Sequence, residues 1–98
     1  MVVVKNLKRE QERGLKAMNR EEILSQVQDI LREEFEDDEL VVTEATTAHD
    51  VKDWDSLAHL SLIHEIEGHF KIKFTMGEIQ GFQNVGEMIN SIEKYLAG

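Results

Sequence analysis

Cysteine and proline are absent from this chain of 98 residues, and aromatic side chains make up only 6% of it. Without cysteine the protein has no disulfide framework and no thiol of its own. No apolar run approaches the length of a transmembrane helix, and Met1-Val2-Val3-Val4 is too short for the apolar part of a secretory signal. We therefore predict a protein without a membrane span that resides in the cytoplasm.

Basic residues are also scarce, because 11 Lys and Arg stand against 20 Asp and Glu, which gives a net charge of −9. Five of the basic residues lie within residues 1–17, so residues 18–98 contain six basic and eighteen acidic residues. A domain with this excess of acidic residues repels the phosphate backbone of nucleic acids, which argues against nucleic acid as a partner. It favours partner proteins that present patches of Lys and Arg.

The length and the hydrophobic fraction of 41% allow one small core but no deep, enclosed active site. The chain is therefore not expected to be an enzyme by itself. Residues 1–17 have no continuous apolar stripe that could dock onto a core, so they are predicted to be a flexible extension. The single domain is expected to be formed by residues 18–98.

The first helix is predicted by a capping box, in which Asn19 is followed three residues later by Glu22. Apolar residues then recur at helical spacing, so the helix should run from Arg20 to about Phe35: Ile23, Val27, Ile30 and Leu31. An acidic cluster closes it: Glu33, Glu34, Glu36, Asp37, Asp38 and Glu39. We interpret this cluster as a solvated surface, because it lacks the glycine and the spacing of a calcium-binding loop.

A long loop is predicted from Glu36 to Trp54. Leu40, Val41 and Val42 have the composition of a strand, but the sequence offers no second strand to pair with them. We expect these three residues to anchor the loop with their apolar side chains.

The stretch Asp53-Trp54-Asp55-Ser56-Leu57 opens the central helix, which is predicted to run from Ser56 to about His69. Asp55 is a suitable N-cap, and this places Ser56 at the first helical position with its hydroxyl towards solvent. The free amides and the positive end of the helix dipole favour an anion there, such as a phosphodiester on the serine. The side of this helix that faces the core is predicted to carry His59, Leu62, Ile63, Ile66 and Phe70.

A second stripe of the central helix lies off the core face: Leu57, Ser61, His64 and Gly68. Leu57, beside the serine, is either a contact for a partner protein or a side chain folded down over the loop, and the pattern leaves both open. The histidines at 59, 64 and 69 are rotated from one another by about 140°, so no metal site is expected. His59 should be hydrogen-bonded at the rim of the core, while His64 and His69 should be exposed.

Two further helix starts follow. Thr75 and Glu78 form a second capping box, which predicts a short helix from Met76 to about Gln80 that ends at Gly81. The run Asn84-Val85-Gly86-Glu87 repeats this signal, and a last helix is predicted from its apolar stripe: Val85, Met88, Ile89, Ile92 and Leu96. The expected fold class is all-α, a bundle of three main helices and one short helix with a long first loop.

From about Met18 to Leu96 the chain resembles the acyl carrier protein family. The most specific part of the resemblance is Trp54-Asp55-Ser56-Leu57, together with the end of the central helix at Glu67-Gly68-His69-Phe70-Lys71-Ile72. The resemblance implies that Ser56 carries 4′-phosphopantetheine, derived from coenzyme A, with an acyl or aminoacyl group attached to it as a thioester. It also implies a non-catalytic protein, here expected to be monomeric, whose partners are a phosphopantetheinyl transferase and acyl-loading, acyl-transfer or condensing enzymes.

The chain departs from the family in two places. Where the family commonly has a Leu-Gly turn before Asp-Ser-Leu, this chain has Val51-Lys52-Asp53-Trp54. Ala58, Ser61 and His64 also occupy positions where acidic or large apolar residues are frequent in the family. These neutral positions favour a specialised carrier over the housekeeping one, and they leave the cargo open among fatty acyl, polyketide, D-alanyl and sugar-acylating groups.

A small core of this kind could also admit a bound acyl chain, with Met76, Met88 and Ile63 as candidate lining residues. Two other functions are alternatives to the carrier. A serine hydrolase of the Asp-Ser-Leu type needs a leading glycine and a distal Asp-x-x-His, which this chain lacks. A helical interaction adaptor, in which Ser56 is only part of a helix start, is the second alternative.

Overall fold

The computed structural model describes residues 18–97, and the prediction for residues 1–17 lies outside this range. Its helices are α1 (Arg20–Glu34), α2 (Ser56–Phe70), the short α3 (Met76–Gly81) and α4 (Val85–Ala97). A 3-10 turn at Ala48–Asp50 lies between α1 and α2, and no strand occurs within residues 18–97. The predicted all-α bundle with a long first loop is confirmed.

The starts of α1 and α3 are built as the capping boxes predicted. The Asn19 side chain accepts a hydrogen bond from the Glu22 amide at 2.8 Å, and the Glu22 carboxylate accepts one from the Asn19 amide at 3.2 Å. Thr75 and Glu78 repeat this reciprocal arrangement at 3.1 and 2.8 Å. Each box satisfies two amides that the helix itself leaves without partners.

The start of α4 follows the predicted pattern only in part. The Asn84 side chain accepts from the Glu87 amide at 2.9 Å, as expected of a cap. The Glu87 carboxylate, however, accepts from the amide of Gln83, one residue earlier than a capping box requires.

The core lies where α1 packs against both α2 and α4. It is formed by the predicted apolar stripes and by two residues from the connecting segments: Ile23, Val27, Leu31, Leu62, Ile63, Ile66, Phe70, Val85, Met88, Ile89 and Ile92 from the helices, with Val42 and Phe74 from the connections. The close agreement with helical spacing explains why the stripes alone predicted the bundle.

The first part of the long loop is held by contacts to α1. Val42 is buried, and its amide donates to the side chain of Gln28 at 2.8 Å. Leu40 packs against the core, and its carbonyl accepts from Nε of Arg32 at 2.7 Å. This apolar segment is therefore a loop and not a strand, as predicted, but Val41 is exposed and does not anchor it as expected.

The same loop caps the last helix. The amides of Val85 and Gly86 donate to the carbonyls of Thr46 and Glu44 at 2.9 and 2.8 Å. A Cβ atom on Gly86 would lie 3.1 Å from the Glu44 carbonyl oxygen, so glycine permits this close approach. The sequence-based prediction did not include this capping, because it joins residues about forty positions apart.

Candidate functional site

Ser56 is the first residue of α2, and it is exposed. Asp55 precedes it in an extended conformation, and one of its carboxylate oxygens accepts from the Ala58 amide at 2.9 Å. The predicted N-cap is therefore confirmed. The first amides of a helix have no partners within the helix, so those of Ser56 and Leu57 are available to an anion on the Ser56 hydroxyl.

The turn that leads into Ser56 uses an aspartate in an unusual conformation. Asp53 has φ of 72°, in the left-handed region that glycine adopts most readily. Asp and Asn tolerate this region better than other non-glycine residues. The amide of Asp55 donates to the Asp53 carbonyl at 3.0 Å, which tightens the turn. This chain therefore reaches Ser56 through a tight turn without glycine.

An open groove of about 640 Å³ lies beside Ser56, between the start of α2, the long loop and α3. Its walls combine apolar side chains with a few polar groups: Ala48, Trp54, Asp55, Ser56, His59, Leu60, Met76, Ile79, Gln80 and Phe82. Ser56 is itself part of this lining. A group linked to its hydroxyl can therefore reach the groove without a change in the fold.

The rim of the site carries three exposed apolar side chains. Leu57 is 79% exposed, Met76 65% and Leu60 53%. Leu57 thus points into solvent and does not fold down over the loop. Leu60 was missed, although its position three residues after Leu57 and outside the core stripe was a usable signal.

His59 is half-buried in the lining of the groove and is hydrogen-bonded on both ring nitrogens. Nδ1 is 3.1 Å from Nε1 of Trp54, and Nε2 is 2.9 Å from the carbonyl oxygen of Ile79. The prediction of a hydrogen-bonded histidine at the rim of the core is confirmed. His59 joins the loop before Ser56 to α3 through these two bonds.

The predicted partner-binding residues Leu57, Ser61 and His64 are all exposed on one side of α2. The Ser61 hydroxyl donates to the carboxylate of Glu34 at 3.0 Å, so this side of α2 meets the end of α1. A cleft there is lined by Ile30, Glu33, Glu34, Glu36 and Glu65. Glu33 and Glu34 at the end of α1 and Glu36 just after it therefore bring acidic groups to this side of α2, in addition to its own Glu65.

Among the candidate lining residues for an acyl chain, Met76 lies on the wall of the groove. Met88 lines a smaller pocket that adjoins the groove. Ile63 lines neither space and is buried in the core between the helices.

His64 and His69 are exposed, as predicted. Within residues 18–97, no three His, Asp or Glu side chains converge in a way that could hold a metal ion. None of the helices over this same range is long and apolar enough to cross a membrane.

Comparison with known proteins decides the family. A family model described as the phosphopantetheine attachment site matches residues 22–92. The acyl carrier protein of Thermotoga maritima is 35% identical over 78 residues, which cover 80% of this chain and 96% of that protein. The chain belongs to the acyl carrier protein family.

A solved structure of the family has the same fold. The solution NMR structure of holo acyl carrier protein from Geobacter metallireducens is 44% identical to this chain, with a TM-score of 0.71, and the match covers 76% of this chain and 85% of that one. The protein is therefore an acyl carrier with a 4′-phosphopantetheine prosthetic group, and not an enzyme. Membership in the family also implies a phosphopantetheinyl transferase and biosynthetic enzymes as partners.

The residues at the start of α2 fit this prosthetic group. The arm is linked through a phosphodiester, and Ser56 offers an exposed hydroxyl at the positive end of a helix. Asp55 holds the first turn in place without occupying the Ser56 hydroxyl, because its carboxylate is bonded to the Ala58 amide. The adjoining groove offers apolar walls to a group at the end of the arm.

Proposed function

We propose that Ser56 is the residue to which 4′-phosphopantetheine is attached, with Asp55 as the helix cap that fixes its position. The supporting observation is that Ser56 is an exposed serine at a helix start and beside an apolar groove. The other serines of residues 18–97 lie inside helices. Ser61 donates to Glu34, Ser91 donates to Glu78, and Ser25 is exposed within α1.

The attachment is a phosphoryl transfer carried out by a separate transferase. The Ser56 hydroxyl oxygen forms a bond to the phosphorus next to the pantetheine moiety of coenzyme A, and the diphosphate bridge breaks. Adenosine 3′,5′-bisphosphate leaves with the bridging oxygen, and the hydroxyl proton is released. The new phosphodiester is negatively charged, so the free amides and the dipole of α2 stabilise it at this position.

Intact-mass measurement tests this proposal. Incubation with coenzyme A and a broad-specificity phosphopantetheinyl transferase should add the mass of one phosphopantetheine to the wild type and none to Ser56→Ala. Ser25→Ala is the matched control, because it removes an exposed hydroxyl from α1, outside the proposed partner-binding face, and it should be modified like the wild type. Modification of Ser56→Ala, or failure of the wild type with several transferases, would refute attachment at Ser56.

The acyl or aminoacyl cargo is carried as a thioester on the thiol of the arm, since the chain has no thiol of its own. In this proposal the groove beside Ser56 shelters the apolar part of the cargo between partner enzymes. Leu60, Met76 and Ile79 supply apolar walls for this purpose. A tethered reactant meets each partner at high effective concentration, so brief and weak contacts with those enzymes are sufficient.

The partner-binding face in this proposal contains Leu57, Ser61 and His64, and Leu57 is its apolar contact. Leu57 is 79% exposed and lies one helical turn from Leu60, which is 53% exposed, so the two offer adjacent apolar surface to a partner. Glu34 and Glu65 lie at the edge of this face. These carboxylates favour loading, transfer and condensing enzymes with basic surfaces, and they disfavour nucleic acid.

The carrier is proposed to act as a monomer in the cytoplasm, where coenzyme A and the transferase are available to it. Its cargo is proposed to be specialised, because Ala58, Ser61 and His64 stand where acidic or large apolar residues are frequent in the family. Transfer assays with a housekeeping fatty acid enzyme and with a specialised acyltransferase test this point. Equal or better turnover by the fatty acid enzyme would contradict it.

A further inference from the structure

Two pockets adjoin each other near Ser56. The groove of about 640 Å³ includes the serine in its lining, and a second, half-open pocket of about 260 Å³ includes Met88 of α4. Both spaces are lined by the same four residues: Ala48, Trp54, His59 and Phe82. These residues therefore form the wall between the groove and the second pocket.

Hydrogen bonds hold the centre of this wall closed. The indole Nε1 of Trp54 can only donate, so Nδ1 of His59, 3.1 Å away, must be the acceptor. The proton of the neutral imidazole is then on Nε2, which donates to the Ile79 carbonyl at 2.9 Å. The imidazole is fixed from both sides, and its ring also stacks with that of Trp54 at a centroid distance of 6.1 Å.

Ser56 lines only the groove, so an apolar chain that entered from Ser56 would have to pass this wall to reach the second pocket. To pass, it would have to displace the imidazole and break both hydrogen bonds. The indole N–H of Trp54 and the carbonyl of Ile79, both in a half-buried region, would then lose their partners and gain none from a methylene chain. The burial of the few methylene groups that the second pocket can hold would not offset this cost.

We propose that the hydrogen-bonded pair of His59 and Trp54 limits the length of acyl chain that this carrier can shelter, so that short chains fit entirely and long chains leave their ends in solvent. His59 is thus a residue that determines cargo specificity by closing the groove, and not by contact with the thioester. The inference rests on the proposed attachment at Ser56.

The test is thermal denaturation of the carrier loaded with a series of saturated acyl groups from acetyl to palmitoyl. Intact mass confirms that each sample carries its acyl arm. In the wild type, the melting temperature should rise with chain length up to a limiting length and then stay constant. In His59→Ala, which removes the imidazole and joins the two cavities, the limiting length should increase by several methylene groups.

His69→Ala is the matched control. It removes a histidine from the same helix, but His69 is exposed, lies outside the proposed partner-binding face and lines neither cavity. This variant should retain the limiting length of the wild type. Equal limiting lengths in the wild type and His59→Ala, or the same increase in both variants, would overturn the proposal.

A measurement on the wild type alone avoids any dependence on how the variants fold. The indole N–H of Trp54 should remain protected from hydrogen exchange, with an unchanged NMR resonance, for every acyl chain in the series. Loss of protection with the longer chains would mean that they pass the wall, which would overturn the length limit. Absence of stabilisation by any chain would also overturn it while leaving modification at Ser56 intact, whereas failure to load the arm would count against the proposed function itself.

Discussion

At the scale of single residues, the sequence predicted what depends on near neighbours. The cap at Asp55 joins residues three positions apart, and it could be predicted because such local bonds recur at helix starts. The sequence also predicted that His59 is hydrogen-bonded, but it did not identify the carbonyl of Ile79 as the acceptor. That bond joins α2 to α3 across 20 positions of the chain, and no local pattern encodes such a pairing.

Leu57 and Ile63 provide a direct test of the orientation of α2. Leu57→Ala should weaken transfer by the transferase or a later partner enzyme and should change the free energy of unfolding little, within about 0.5 kcal/mol, because the side chain is 79% exposed. Ile63→Ala should lower that free energy by about 2–5 kcal/mol, because the side chain is only 2% exposed. Chemical denaturation and transfer kinetics measure the two effects.

Leu57→Ala should therefore impair mainly transfer, whereas Ile63→Ala should lower mainly the free energy of unfolding. If Leu57→Ala unfolds the protein as severely as Ile63→Ala, then Leu57 belongs to the core. The proposed partner-binding face would then be wrong, even with the arm on Ser56.

At the scale of helices and turns, the boundaries were predicted to within a residue or two where a side chain caps the helix. The Thr47-x-x-Asp50 pattern before the 3-10 turn was overlooked, although the Thr47 amide does donate to the Asp50 carboxylate at 2.9 Å. Left-handed turns were not predicted at all. Glu36, Asp53 and Lys71 adopt positive φ values with no glycine to mark the place.

Lys71 follows the last residue of α2 and adopts the left-handed conformation, which is unfavourable for most side chains. Its φ is 58°, and the next amide, of Ile72, donates back to the Glu67 carbonyl at 3.1 Å, as in a helix end that normally uses glycine. Lys71→Gly should therefore raise the free energy of unfolding by about 0.5–1 kcal/mol. Lys73→Gly is the control, since Lys73 is also exposed but has no positive φ, and it should be neutral or destabilising. Equal effects in thermal denaturation would show that the conformation of Lys71 is not strained.

Glu78 holds α3 against α4. Its carboxylate accepts hydrogen bonds from the Tyr95 hydroxyl at 2.6 Å, the Thr75 amide at 2.8 Å and the Lys94 ammonium at 2.9 Å. The bond from Tyr95 is the largest cause that lowers the pKa of Glu78 to about 2, from an ordinary value of 4.5. A lowered pKa in the folded state means that the charged carboxylate stabilises the fold above pH 4.5, and that this contribution is lost as the pH falls towards 2.

Glu78→Gln should remove this part of the pH dependence. At neutral pH the variant should lose about 1–3 kcal/mol of stability, because it loses a charged acceptor of several hydrogen bonds. Between pH 4.5 and 2 its melting temperature should then fall less steeply than that of the wild type. Glu65→Gln, at an exposed carboxylate of α2, is the control and should keep the wild-type slope. A wild-type slope in Glu78→Gln would contradict the role of this carboxylate.

At the scale of the whole molecule, the amphipathic helices predicted the bundle, but the path of the long loop was not predictable. Arg20 illustrates the reason, because it pairs with Glu44 of the loop at 2.7 Å and with Glu93 of α4 at 2.6 Å. These three residues are distant in the sequence, and many other acidic side chains of the chain could form the same ion pairs with Arg20. Charge complementarity in a chain with 20 acidic residues therefore does not specify a pairing.

A chain that begins at Met18 tests the proposed domain boundary. Met18 packs against the core, whereas residues 1–17 have no apolar stripe in their sequence. The shortened chain should have the melting temperature of the full chain and should accept phosphopantetheine at the same rate. A melting temperature lowered by several degrees would place residues 1–17 within the folded domain.

The attachment of the arm to Ser56 is tested most directly by fragmentation mass spectrometry of the wild-type protein after phosphopantetheinylation. The phosphopantetheine mass should be localised to Ser56 alone, because its hydroxyl is exposed at the start of α2. Peptides that contain Ser25, Ser61 or Ser91 should carry no added mass. Localisation of the group to any of these three serines would contradict the account.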